Sequence, residues 1–290
     1  MEQQTGAPQV RNGLRAQDDG VSWNLDVPWP RPGASAVYDL SHALRPGMPH
    51  HPAHPPFSFA LTKQHGDITY ADGASASSEM ITLGGHVGSH IDALSHYSRD
   101  GLFCGSVPTA GNQSYTEGMS EYSVDAMPPL FAPAHLVDVA TLLGRDVTPD
   151  DGVGSEEFEQ WFADRPTPEP GSVVIVRFGW DLHWDDISKF LGVSTGAPGV
   201  TLSGAEWLSE RSILAAGADT IAFEKSPPMG QAANDVHVHL LVESGIPIME
   251  AFHLVELAKD ERWEFLFIAI PMKLRGGTGS PIRPLAIVAG

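Results

Sequence analysis

The chain has 290 residues, a formal charge of -19 and a sequence pI near 4.9. That acidity opposes phosphate backbones and anionic membrane surfaces, so neither nucleic acid nor a membrane is expected as a partner. No apolar run approaches the ~20 residues of a membrane span, the polar start lacks the apolar core of a secretory signal, and a lone cysteine, Cys104, excludes an internal disulfide framework; a cytoplasmic location is expected.

Residues 1–35 are rich in Gly, Pro and polar side chains and read as an N-terminal arm. Residues 36–290 read as one domain. "SAVYDLSHAL" is a first strand ending in a turn, and "HHPAHPPF" is too proline-rich for regular structure. "SSEMITLGGHVGSHID" is a strand that runs into glycines, and "EYSVDAMPPL" a short helical piece. "AHLVDVA" is a strand entered at Pro133. "SEEFEQWFA", Ser155–Ala163, has helical spacing and an acidic first turn. "GSVVIVRFGW" is a buried strand between Gly171 and Gly179. In "SGAEWLSERSI" Ser203 and Glu206 predict a capping box and a helix. "ADTIAFEKS" is a strand, "NDVHVHLLVESG" a helix ending at Gly245, "IPIMEAF" a strand and "HLVELAK" a turn or short helix. "WEFLFIAIPMKL" is a long apolar strand, and "RGGTGSPIRPLAIVAG" a glycine-rich loop and final strand. Interleaved strands and helices, with strands in excess, predict a single α/β domain on a mixed sheet.

The informative stretch is "HVGSHIDALSH", which places His86, His90, Asp92 and His96 within eleven positions of a chain with 13 histidines. In extended chain His90 and Asp92 project from one face, ~6.6 Å apart at the backbone, whereas a helix would point them ~200° apart. Fully extended, His86 and His90 would be ~13 Å apart, too far to share an ion held by bonds of about 2 Å. The chain must bend between them, and Gly88 lies midway. The functional reading is a divalent metal site on a strand-to-turn segment; the alternative is a solvated histidine-rich loop. Imidazoles favour zinc, and the carboxylate leaves room for manganese. No HExxH motif is present. His96 lies four residues past Asp92 and need not be a ligand; it can serve as the general base or acid. Further along, a helix–turn–strand unit can bring His237 and Glu250 to a second ion with Asp92 as the bridge, a packed helix residue and a plain ion-pair partner being the alternative. Trp180, His183 and Trp184 are candidate walls for a flat substrate, or else core.

These residues carry a resemblance. "HVGSHIDALSH" resembles the HxGTHxDxPxH signature of the metal-dependent cyclase family, which includes bacterial kynurenine formamidases and isatin hydrolases. "YDLSHALRPGMPHHP", "VVIVRFGW", "APGVTLSGAEWLSER", "LLVESGIPIMEAF" and "PMKLRGGTGSPIRPLAI" are similar to further family segments, so that the likeness runs from about Ala36 to Val288. It implies a swivelling β/β/α-type domain in a homodimer or homotetramer. It implies His86, His90 and Asp92 as ligands of one metal, Asp92, His237 and Glu250 as ligands of a second where one is bound, and His96 as the acid–base residue; His237 fits this pattern better than His239. Ser89 stands for the motif threonine and Leu94 for its proline. The expected activity is metal-dependent hydrolysis of a small amide, formamide or lactam, with one or two ions. A cyclase, dehydratase or isomerase acting on a polyketide-like metabolite is the alternative enzyme, and a non-catalytic metal binder the alternative outside catalysis.

Overall fold

The structure is a computed structural model that describes residues 36–229, 231 and 234–288; the arm assigned to residues 1–35 lies outside them. One nine-stranded mixed sheet organises the chain. In chain order its strands are β1 (Ala36–Asp39), β2 (His90–Asp92), β3 (Leu130–Asp138), β4 (Val173–Arg177), β5 (Ala215–Ala218), β6 (Ile248–Glu250), β7 (Glu264–Ala269), β8 (Gly279–Pro281) and β9 (Leu285–Val288). They lie side by side in the order β1-β9-β7-β3-β4-β5-β6-β2-β8. The run β3-β4-β5-β6 is parallel and every other pairing antiparallel.

The central strands are apolar throughout because both faces are covered. In β4, Val173 and Ile175 enter one core cluster while Val174 and Val176 enter the other. The first of these clusters gathers Ile91, Leu136, Met249, Phe265, Phe267 and Ala286 from strands across the whole sheet, so the sheet curls around it. The other lies under the helices Ser155–Phe162 and Leu202–Glu210 and the segment Asp235–Ser244. Strands β2 and β6 send Ile91 and Met249 into the curl, and their alternate residues therefore face the helical layer.

Several sequence expectations need correction. "EYSVDAMPPL" forms only a single 3₁₀ turn, Val124–Ala126, before Pro128 and Pro129 block a helix. Pro133 lies inside β3 rather than at its entry; residues 130–133 pair with β7 alone, where a missing N–H is tolerated. The helix expected from Ser203 starts at Leu202 with no side-chain cap, because Thr201 is tied through its N–H and hydroxyl to the Val153 carbonyl. The strand expected over "ADTIAFEKS" instead precedes that stretch, at Ala215–Ala218, and stops where Asp219 turns inward to accept the amides of Phe178 and Trp180, each at 2.8 Å. "NDVHVHLLVES" is helical, but Val238–Ser244 widens into a π-turn before Gly245 closes it in the left-handed region, φ 68°. Inside the glycine-rich loop, "GSP" forms β8. Finally, Ser78–Thr82 pairs with Ser58–Lys63 in a separate hairpin.

Phe252 is fully buried inside the curl, against Phe267 and the Cα of Gly217. Phe252→Ala should lower unfolding stability by about 3–5 kcal/mol, read from chemical denaturation, since the rigid strands around it leave a cavity.

Candidate metal centre

The sheet register builds the centre. Within the antiparallel pair β2–β6, Glu250 stands directly opposite His90, and Ile248 opposite Asp92. On the other side of β2, Gly279 stands opposite Asp92. His90, Asp92 and Glu250 thus share the face toward the helical layer, where Asp235–His237 presents its histidine. Just before β2, Gly88 takes a left-handed φ of 62° and turns His86 back over the strand. The His86 ring lies against the bare α-carbon of Gly279, where any side chain would collide with it. Ser89 secures the loop: its hydroxyl donates to the Ala251 carbonyl at 2.6 Å and accepts the His42 amide at 3.2 Å. After β2, Leu94 opens a 3₁₀ turn, Leu94–His96, that returns His96 to the same spot.

The structure therefore brings together all six side chains His86, His90, Asp92, His96, His237 and Glu250. Their polar atoms form two triads, each with its atoms within 4.8 Å of one another: His86, His90 and Asp92, and Asp92, His237 and Glu250. Asp92 belongs to both. Its Oδ1 accepts from His86 Nδ1 at 2.6 Å and lies 3.6 Å from His90 Nε2. Its Oδ2 lies 3.9 Å from His237 Nε2 and 4.0 Å from His96 Nε2, too far for hydrogen bonds, and it has no partner although it is fully buried. A buried carboxylate oxygen without a donor is costly. A cation between the triads satisfies it, and the mixed imidazole and carboxylate donors suit zinc or manganese. Both triads are fit to hold a divalent cation.

The electrostatics divide the histidines. Burial alone would depress His90, but its hydrogen bond to Glu250 and the charges of Asp92 and Glu250 raise it to about 8. Burial opposes the proton on His237 as well, and hydrogen bonds to Glu224 and Glu250 raise its pKa well above the usual value. Burial would raise Glu250, and the same two imidazoles hold it down at about 2. Asp92 is likewise kept well below the ordinary carboxylate range, the facing imidazoles outweighing its burial. His96 goes the other way: burial brings it down to about 4, and Asp92 only partly compensates.

Four participants were not anticipated from the sequence. Glu224 accepts from His237 Nδ1 at 2.8 Å. The Thr278 hydroxyl bonds His86 Nε2 at 2.9 Å. Tyr97 packs on His237 with ring centroids 4.8 Å apart and donates to Asn234 Oδ1. His54, from the proline-rich segment, stacks on His86 at 4.7 Å, and His86 stacks on His96 at 3.9 Å. His54, His86 and His96 also bring ring nitrogens within 4.8 Å of one another, a third group able to hold a cation; His54 and His96 are tilted 45° to each other, and each lies 28° from His86. The only available signal for His54 was a histidine in "HHPAHPPF", and no spacing rule links it to His86.

The other assigned positions lie elsewhere. Trp180 is core, its Nε1 donating to the Phe190 carbonyl at 3.0 Å. Trp184 is buried face to face with His42 at 3.8 Å, and His183 meets Trp180 edge-on. The structure thus corrects the idea of a Trp180–His183–Trp184 wall: the indoles pack the protein's own interior. His239 turns away to Ser209 and Glu243.

The proton on His90 stabilises the metal-free fold below the ordinary histidine value of 6.5 and is lost as pH rises through about 8, and the proton on His237, whose pKa is also held well above the usual value, acts in the same sense. The melting temperature of chelator-stripped protein should fall across that interval. Zinc affinity, read by calorimetry, should rise across it, because both imidazoles must shed protons to ligate.

Comparisons with known proteins find relatives over most of the chain. An isatin hydrolase of Roseibium aggregatum is 27% identical over 265 residues, covering 88% of this chain and 93% of that protein. A kynurenine formamidase of Bordetella petrii is 24% identical, covering 86% of this chain and 96% of that protein. A crystal structure described as a novel cyclase superposes with a TM-score of 0.79 at 24% identity, covering 88% of this chain and 87% of its own. An isatin hydrolase bound to the product analogue thioisatinate gives 0.70 at 24% identity, with coverages of 89% and 94%. The family model described as putative cyclase matches residues 38–225, and the chain belongs to that family.

Proposed function

We propose that this protein is a metal-dependent hydrolase that opens the carbon–nitrogen bond of a small amide, formamide or lactam. One observation carries the reading: a shared, buried carboxylate with an orphan oxygen lies between two ligand triads, with a further imidazole, His96, beside it. The names of the isatin hydrolase and kynurenine formamidase relatives support the bond type. A divalent cation bound there, with zinc preferred and manganese the alternative, polarises a carbonyl and acidifies water.

The chain's own residues do the rest. His86, His90, Asp92, His237 and Glu250 hold the cation or cations. His96 Nε2 is the proton carrier: burial keeps it unprotonated at neutral pH, so it is ready to accept a proton from water and return it to the leaving nitrogen. Tyr97 walls the opposite side over His237, and the half-buried His54 covers His86 from the proline-rich segment. Together they limit the water that reaches the reacting atoms, which strengthens every charge interaction inside.

The working form is proposed to be a homodimer or homotetramer. The hairpin Ser58–Lys63/Ser78–Thr82 leaves Phe59, Leu61, Met80 and Ile81 about half exposed, and a lone two-stranded ribbon is barely stable in water. Among the described residues no helix is long and apolar enough to cross a membrane, in keeping with the proposed cytoplasmic location.

Metal-stripped and reloaded protein should be assayed on isatin, N-formylkynurenine and related cyclic amides, reading the mass of one added water in the product. Turnover that disappears with chelator and returns with zinc or manganese is expected. No such turnover on any of these compounds rejects the hydrolase reading, and loss of water points to a cyclase instead. His96→Ala should keep its metal and lose ~10²–10⁴-fold in kcat; loss of metal would make His96 a ligand. Sedimentation should find a dimer or larger, and Phe59→Lys with Ile81→Lys should shift it toward monomer.

A further inference from the structure

Glu224 touches neither cation position, yet the fold invests a buried carboxylate behind one of them. It is 4% exposed and uses both oxygens. Oε1 accepts from His237 Nδ1 at 2.8 Å, and Oε2 accepts from the Val236 amide at 3.0 Å. The ring is thereby locked with Nε2 facing Glu250 Oε1 at 3.2 Å and Asp92 Oδ2 at 3.9 Å. The other ligand imidazoles have uncharged support. His90 Nδ1 donates to the Gly88 carbonyl at 2.8 Å, and His86 Nε2 meets the Thr278 hydroxyl at 2.9 Å.

We propose that Glu224 is the positioning residue that lets this chain hold a second cation, on Asp92, His237 and Glu250, and that without its charge the centre holds one. The inference rests on the reading of the cluster as a metal centre. Its physical basis is charge balance. Asp92 and Glu250 are the only carboxylates in the two triads. Their two negative charges match a single dication. A second dication sharing the Asp92 bridge would sit ~3.5–4 Å from the first and repel it. At this depth an unbalanced charge is expensive, because little water is present to screen it. Glu224 adds a third negative charge on the far side of His237. Through the Nδ1–H hydrogen bond it also makes that imidazole a better donor at Nε2. The hydrogen bond acts on the Asp92–His237–Glu250 triad directly, and Glu224 makes no hydrogen bond to His86 or His90.

The test is Glu224→Gln, which keeps size and one acceptor for the His237 Nδ1–H, removes the charge and gives up the oxygen that accepts the Val236 amide. Stripped protein is equilibrated with excess zinc, desalted and analysed for its metal-to-chain ratio, and the affinities are resolved by competition with a chromophoric chelator. Wild type should retain close to two zinc ions, and the variant close to one. The weaker affinity should drop about 10- to 100-fold, the usual effect of removing a carboxylate behind a ligand histidine, while the tighter one stays. His237→Ala should match the variant, and Glu224→Asp should fall between. Wild type binding a single zinc, or the variant binding two with unchanged affinities, overturns the proposal. Should Glu224→Gln not fold, ¹⁵N resonances of the wild-type His237 ring decide: Nδ1 must stay protonated and Nε2 must shift on zinc loading, and the reverse pattern overturns it. Failure of the hydrolase reading would show separately, as absent turnover with both zinc ions in place.

Discussion

A single carboxylate, Asp92, sets the terms for the rest of the site. It is 1% exposed, one oxygen bonded to His86 and the other turned toward His96 and His237 without a hydrogen bond. An anion at that depth must be answered by positive charge or strong donors. Much of the surrounding structure meets that requirement. Gly88 bends the chain to return His86, Gly279 leaves room for its ring, and the β2–β6 register puts Glu250 opposite His90. A one-residue slip of β2 would send His90 and Asp92 into the apolar curl and Ile91 into the polar layer.

Burial disfavours the proton on His54, His90, His96 and His237, and the neighbours decide the outcome. His90 and His237 each face carboxylates and are favoured as cations, so that protons hold the place of metal when metal is absent. His96 and His54 stack on another imidazole and make no hydrogen bond to a carboxylate; Asp92, 4.0 Å from His96, compensates only in part, and burial carries both down to about 4. One shell of similar residues therefore separates into groups that hold positive charge and groups that stay neutral, the division needed for binding on one side and proton transfer on the other.

Four solved structures, a cyclase and three isatin hydrolases, share the fold at TM-scores of 0.69–0.79 with 22–24% identity, which leaves the site to speak for the chemistry. Here the site differs locally from the family signature at Ser89 and Leu94. Ser89 keeps the hydroxyl that ties the metal loop to Ala251. Leu94 still permits the 3₁₀ turn that returns His96, so the motif proline is not needed for that turn.

Local sequence was enough to identify β4, whose β-branched run is bounded by glycines, the helix Ser155–Phe162, and the grouping of His86, His90 and Asp92, since strand period and one glycine bend suffice to relate them. It misjudged elements whose ends depend on distant partners: β5 stops because Asp219 is drawn to the amides of Phe178 and Trp180, and Trp180 is core because β4 delivers it there. Glu224, Thr278 and His54 lie 13, 192 and 32 residues from the histidines they support. No periodicity spans such separations. Spacing along the chain determines which side chains share a face; only the packing of strands and helices determines which of them meet across it, because those contacts are set by register and layer order rather than by neighbours in sequence.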